Sequence, residues 1–179
     1  MGKRGRARRV RMILADVDGT LTDGSLTPYP DGEEIKSFNT KDGLGVLISR
    51  LAGLKVGFIT GKNSKALEGR AARLRIDELR QGAIDKEPVF REILAKHGLR
   101  PEEIAYIGDD LNDLAVLEAA GFSAAPADAV AAVRKRVDFV CRRRGGEGAF
   151  RELVDYILGA QRKWSLVKDR FREISDHKI

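Results

Sequence analysis

The sequence has almost no cysteine. Cys141 is the single one in 179 residues. No internal disulfide can form, and the composition fits a reducing cytoplasm. Cys141 ends the strand-like run Val137-Asp138-Phe139-Val140-Cys141, where a free thiol acts as a small hydrophobe. No apolar run approaches the roughly 20 residues of a membrane-spanning helix. The basic N-terminus lacks the apolar core of a signal peptide, so neither secretion nor a membrane partner is expected. No internal repeat or low-complexity linker is visible. With 42% hydrophobic and 34% charged residues, the chain is globular and long enough to bury one full core.

A basic face on the body is also missing. The net charge is +6, but residues 1–11 carry six Lys/Arg and no acid, and residues 160–179 carry six Lys/Arg and three acids. What remains holds 21 basic and 24 acidic residues. The excess belongs to the two ends, so a nucleic-acid partner is not expected for the body. Residues 1–11 read as a flexible basic terminus and 12–161 as the domain. Residues 162–179 read as an appended helix, amphipathic through Trp164, Leu166, Val167, Phe171 and Ile174.

What is present centres on Met12-Ile13-Leu14-Ala15-Asp16-Val17-Asp18-Gly19-Thr20. Four apolar residues reading as a strand buried on both faces run into a carboxylate. Open α/β sheets bind ligands at the carboxyl ends of their strands. In extended chain, residues i and i+2 point the same way, so Asp16 and Asp18 should look into one pocket. Two carboxylates that close are costly without a cation between them or a proton on one. Mg²⁺ is the natural cation beside a phosphate. A bare Asp-x-Asp is more often a turn; the preceding strand and three downstream segments reverse that prior.

Downstream, apolar runs at 55–59, near 79, at 104–108, 122–125 and 137–141 read as strands. Helices are expected near 43–52, 64–75, 87–98, 111–120, 127–135 and 149–161. The alternation predicts a doubly wound parallel α/β sheet. Residues 21–38, with two Asp-Gly pairs and two prolines, read as a β-hairpin flap.

Three of those strand ends carry further chemistry. Thr60-Gly61 follows Phe58-Ile59 and offers a hydroxyl and a backbone N–H to a phosphoryl oxygen; alone, it is more often a helix cap. Lys86 opens a helix, where its charge opposes the helix dipole unless it meets an anion such as phosphate or Asp16. Asp109-Asp110-Leu111-Asn112-Asp113 follows Tyr106-Ile107-Gly108. Asp109 can join Asp16 in a metal site. Asp110, Asn112 and Asp113 can orient the ligands or hold Lys86, with helix capping an even alternative for the two acids.

In this order, DVDGT, TG, K and GDDLND resemble the four motifs of the haloacid dehalogenase superfamily of phosphohydrolases. Only 41 residues separate Asp18 from Thr60, and 25 separate Thr60 from Lys86. Neither gap holds a cap domain. A closer resemblance lies in Thr22-Asp23-Gly24, in the stretch from Glu34 to Gly43, and in Gly145 to Glu152. These look like the capless 3-deoxy-D-manno-octulosonate 8-phosphate phosphatases, collinearly over about residues 10–161.

That resemblance implies a Mg²⁺-dependent phosphomonoesterase of lipopolysaccharide biosynthesis. Asp16 would be the nucleophile and Asp18 the acid/base. Thr60 and Lys86 would hold the phosphoryl group, with metal held by Asp16, Asp109 and the Asp18 carbonyl. It implies substrate contacts from Asp18, Asn39, Thr40, Lys41, Asp42, Gly43, Gly61, Lys62, Arg70 and Lys86. It also implies a homotetramer in which flap hairpins associate and neighbours help close each site. The exposed apolar residues of the hairpin agree with such pairing, and the 145–148 glycines read as mobile enough to reach a neighbour. Where relatives often have Arg, this chain has Leu47, so an anion contact is either lost or supplied elsewhere, by Lys41 or Arg50. Relatives acting on nine-carbon keto-sugar acids often carry Glu after Thr-Gly; Lys62 stands here and favours the eight-carbon acid. Three other readings stay open: a phosphatase of another small ester such as a nine-carbon sialic-type acid phosphate, a regulatory or assembly module on the same fold, and a nucleic-acid binder using the basic ends.

Overall fold

A computed structural model describes residues 2–29 and 34–176, apart from the side chains of the last two. Six parallel strands form the sheet: β1 Met12–Ala15, β4 Lys55–Ile59, β5 Glu78–Arg80, β6 Ile104–Ile107, β7 Phe122–Ala125 and β8 Phe139–Val140. The spatial order is β5-β4-β1-β6-β7-β8. The chain leaves β1 toward β4 on one side and later returns to β6 on the other. β1 therefore borders the topological switch point, and the crevice opens at its carboxyl end.

Both faces of β1 are buried, as its uninterrupted apolar run requires. Ile13 and Ala15 pack into one cluster with Val46, Phe58, Phe150 and Leu153. Met12 and Leu14 pack into the other with Phe90, Ile93, Tyr106 and Val116. The first layer is built by α1 Lys3–Ala7, α2 Thr40–Leu51 and α7 Ala149–Gln161, with α3 Lys65–Leu74 at its edge. The second is built by α4 Lys86–His97, α5 Leu114–Ala119 and α6 Ala131–Arg134. The doubly wound α/β sheet expected from the sequence is the fold observed. No described helix is long and apolar enough to cross a membrane.

Several boundaries differ from expectation. The helix expected over 111–120 divides into a 3₁₀ turn at Leu111–Asp113 and α5, because Asp110 and Asp113 turn their carboxylates onto backbone N–H groups there. The 127–135 helix shortens to Ala131–Arg134, and the last strand to Phe139–Val140. Residues 1–11 read as flexible from charge alone, yet Lys3–Ala7 is helical, Ala7 and Val10 are buried, and Arg6 pairs with Asp138. Arg11 extends β1 through Arg11 N–H to Glu103 O at 2.7 Å and Lys55 N–H to Arg11 O at 2.9 Å. Ala7 and Val10 bury between arginines, and Gln161 Nε2 donates to Ala7 O at 3.3 Å and Val10 O at 2.7 Å, which together dock the segment. Residues Trp164–Asp176 form α8, which Arg170 ties to Leu51 O at 2.7 Å.

The flap is a two-stranded antiparallel hairpin, β2 Thr27–Pro28 against β3 Glu34–Ile35; its tip at 30–33 lies outside the described residues. Leu21 is buried and Phe38 packs on the core, whereas Leu26, Tyr29 and Ile35 are exposed.

Candidate active site

Asp16 continues the ladder beyond β1, donating its N–H to Ile107 O at 2.9 Å. Its side chain is buried. Across from it, α4 begins with Lys86, whose side chain is fully buried. The Lys86 ammonium donates to Asp16 Oδ1 and, at 2.7 Å, to Asp113 Oδ1. A cation at a helix start is unfavourable by itself; two carboxylates reverse that. Burial pulls the Lys86 ammonium down, and Asp16 and Asp113 more than offset it, so the net shift is upward and the lysine stays charged.

Asp113 is saturated. Its Oδ1 also accepts from the Tyr106 hydroxyl at 2.6 Å, and its Oδ2 accepts from the N–H groups of Asp109 at 2.9 Å and Asp110 at 3.3 Å. A fully buried carboxylate with every lone-pair direction used holds its neighbours rather than reacting. Asp110 takes the capping role, accepting from Leu111 N–H at 2.7 Å, and it is exposed. Asn112 is exposed on the 3₁₀ turn. Gly108 makes room for this arrangement, since a Cβ there would stand 2.4 Å from Asp113 Cγ.

Asp109 completes the cluster. One oxygen from each of Asp16, Asp109 and Asp113 lies within 4.8 Å of the others. Asp109 Oδ1 accepts from Thr20 Oγ1 at 3.2 Å. Gly19, at φ +91°, passes so close that a Cβ would lie 2.2 Å from Asp109 Oδ2; only glycine tolerates both the angle and the contact. Burial, with Asp113 adding to it, pushes Asp109 up to about 6. Burial also raises Asp16 well above the ordinary carboxylate range, Asp113 and Asp109 add to it, and Lys86 opposes. Two carboxylates held together this way fit an oxygen-seeking divalent cation, which would relieve the repulsion. Asp16 and Asp109 suit that role, because Asp113 has its oxygens committed elsewhere. The Asp18 side chain is not in the cluster.

Asp18 faces the hairpin. Its Oδ1 accepts from the Lys36 ammonium, whose side chain is almost fully buried. Lys36 follows β3 directly and lies 3.7 Å from Glu34 Oε2. Glu34 in turn accepts from Lys62 at 3.0 Å. The sequence reading passed over both Lys36 and Tyr106. Tyr106 carried a signal, since a tyrosine in a strand buried on both faces must find a partner for its hydroxyl.

The remaining expected residues divide. Thr60 is buried, and its Oγ1 accepts from Lys62 N–H at 3.3 Å. Gly61 adjoins it, half-buried near Ala83 and Ile84. Asn39 caps α2 through Lys41 N–H at 2.9 Å and donates to Gly146 O at 3.0 Å. Thr40 and Lys41 are exposed at the same helix start. Arg70 lies against Gly43, where a Cβ would meet its Nη2 at 2.3 Å, and over the Phe38 ring at 5.9 Å.

Asp42 instead turns inward. Its Oδ1 accepts from Arg151 N–H at 2.8 Å, capping α7, whose own N-cap is the side-chainless Gly148. Burial raises Asp42 to about 6, against the N–H groups of Arg151 and Gly148. Leu47 is half-buried, and Arg50 is exposed in the last turn of α2, where it donates to Leu74 O at 3.5 Å. The 145–148 glycines do not reach outward either. Gly146 N–H donates to Thr20 O at 3.2 Å, so the loop closes onto its own Asp-x-Asp turn. Arg142 pairs with Glu152 and Arg144 with Asp128.

Residues 32–121 match the model of the haloacid dehalogenase-like hydrolases. Over 158 residues the chain is 42% identical to the 3-deoxy-D-manno-octulosonate 8-phosphate phosphatase KdsC of Escherichia coli K12, covering 88% of this chain and 84% of that protein. The chain belongs to this phosphatase family. Its fold matches the crystal structure of the Yersinia pestis phosphatase of that name with a TM-score of 0.89, at 42% identity over 91% of this chain and 88% of that one. It also matches the Moraxella catarrhalis phosphatase in complex with magnesium, phosphate and KDO, with a TM-score of 0.90 at 33% identity over 94% and 97% of the two chains. The capless haloacid dehalogenase architecture expected from the short gaps is the one observed.

Proposed function

We propose that this phosphatase hydrolyses 3-deoxy-D-manno-octulosonate 8-phosphate to the sugar acid and inorganic phosphate, with Mg²⁺ as cofactor. The observation that carries the reading is the buried Asp16–Lys86–Asp113 group at the carboxyl end of β1, with Asp109 crowded against Asp16. When bound by Asp16 and Asp109, Mg²⁺ neutralises phosphoryl charge.

An Asp16 oxygen forms a bond to phosphorus, and the phosphorus–sugar oxygen bond breaks. That electron pair goes to the sugar oxygen, which takes a proton from Asp18. Water then attacks phosphorus, gives its proton to Asp18, and returns the pair to Asp16 as the aspartyl bond breaks. Lys86 and the Thr60-Gly61 end of β4 hold phosphoryl oxygens whose charge shifts during transfer. Lys62, Arg70 and the start of α2 take the sugar acid, since carboxylate recognition favours cations.

Leu26, Tyr29 and Ile35 leave the hairpin with an apolar surface that supports a closed homo-oligomer, a tetramer by family resemblance. Light scattering at assay concentration reports its mass. The single buried thiol agrees with a cytoplasmic location. The deciding experiment is phosphate release from a panel of eight- and nine-carbon sugar-acid phosphates, with Mg²⁺ and after chelation. The eight-carbon ester should be turned over best, and chelation should abolish turnover until Mg²⁺ is restored. Preference for a nine-carbon ester would move the substrate, and full activity after chelation would remove the metal.

A further inference from the structure

Two lysines straddle the Asp-x-Asp turn. Lys86 reaches Asp16 from the sheet layer, and Lys36 reaches Asp18 from the hairpin. Nothing in the fold of the core requires the second. Lys36 stands outside β3, yet its side chain is only 3% exposed. Burying a lysine side chain costs desolvation and rotamer entropy, and an anion must compensate. The anions are Asp18, in direct contact, and Glu34 Oε2 at 3.7 Å. Glu34 is itself anchored to Lys62, by Oε1 at 3.0 Å and Oε2 at 3.4 Å. Lys62 follows the phosphoryl-binding end of β4. The result is a charged chain, Asp18–Lys36–Glu34–Lys62, running from the Asp-x-Asp turn through the hairpin base to the other side of the crevice.

We propose that Lys36 is a positioning residue for Asp18: it fixes the Asp18 carboxyl group at the sugar-oxygen side of the phosphorus, with Glu34 holding Lys36 and Lys62 in place. The hairpin base then belongs to the active site of its own chain, whatever its tip does. This rests on the proposed phosphatase reaction, in which the Asp18 carboxylate takes up the proton of the bound phosphate monoester and hands it to the leaving oxygen. A misplaced acid hurts most when the leaving oxygen is strongly basic and least when it departs readily as an anion. A sugar alkoxide is the first kind, and p-nitrophenolate is the second.

The experiment compares Lys36→Met and Lys36→Arg with wild type on 3-deoxy-D-manno-octulosonate 8-phosphate and on p-nitrophenyl phosphate. General acid catalysis contributes about 10²–10⁴-fold. We expect Lys36→Met to lose about 30-fold in kcat on the sugar ester and about threefold on the aryl ester, with Lys36→Arg recovering much of the difference. The ratio of the two losses is internal to one sample, so partial misfolding cancels from it. Equal losses on both esters, or no loss on the sugar ester, would overturn the assignment while leaving the phosphatase reading intact. A wild type that releases phosphate from neither ester would remove that reading, and the proposal with it.

Discussion

The two sides of the crevice are built differently. On the sheet side, Asp16, Lys86, Asp113 and Tyr106 are all buried, and each hydrogen-bonds within the group. They stand just past the end of β1, within β6, on the first turn of α4 and on the 3₁₀ turn before α5, held by two packed layers. On the hairpin side, Lys36 alone is deeply buried, while Glu34 and Lys62 remain partly exposed at 27% and 43%. The groups proposed for the chemistry sit on the packed side, and those proposed to close around a substrate sit on an insert whose two strands are two residues each.

The comparison breaks first at Asp16. Asp16→Asn keeps the shape and removes the proposed nucleophile, so phosphate release should fall by on the order of 10⁴-fold with the far-ultraviolet circular dichroism unchanged. Comparable turnover in the variant would remove the covalent step.

Asp113→Ala tests whether the sheet side is also a stability element. It leaves Lys86 with one carboxylate and the Tyr106 hydroxyl without a partner. Removing one member of a buried ion pair costs about 3–5 kcal/mol, and urea unfolding should show it. A loss below about 1 kcal/mol would mean that water replaces Asp113.

Asp42 isolates burial without a close ammonium partner. Its folded value of about 6 stands above the ordinary 3.8, so its contribution is present below about pH 4 and is lost as pH rises through 6. At 1.36 kcal/mol per pH unit, wild type should lose about 2–3 kcal/mol relative to Asp42→Asn between pH 4 and pH 7. Parallel pH profiles from urea unfolding would contradict this.

The smallest effect sharpens the hairpin side. Glu34→Gln frees Lys62 from its anchor and takes the more distant of two anions from Lys36, so KM for the sugar ester should rise roughly threefold, and kcat should fall by no more than about threefold because Asp18 still holds Lys36. A change in kcat alone would place Glu34 in the chemical step instead.

The two sides were also unequally readable from the sequence. An apolar run ending in a carboxylate marks a buried parallel strand and its active end together, so Asp16 and Asp109 were legible from local pattern. Lys86 was legible as a charge in a place that penalises it. Lys36 was not, because an isolated lysine after a two-residue strand has no periodicity and its partner lies 18 positions away. Asp42 was read as a substrate contact, since its role as a cap for α7 depends on a partner 109 residues on. The N-terminal helix was hidden because six charges outweighed Ala7 and Val10 in any reading by composition.

One feature of the first layer has a practical reach. Cys141 lies buried just after β8, with its Sγ 3.5 Å from Ala149 O at the start of α7. Burial pushes the thiol up, and Glu152 adds to this, so at neutral pH a disulfide reagent finds neither access nor thiolate until this corner opens. With one sulfhydryl in the chain, every labelling event has a single origin. The molecule therefore carries its own clock: the pace of thiol exchange counts excursions of the β8–α7 corner, and slower ticking with phosphate or sugar acid bound would time how firmly the neighbouring Gly145–Gly148 loop clasps the Asp-x-Asp turn.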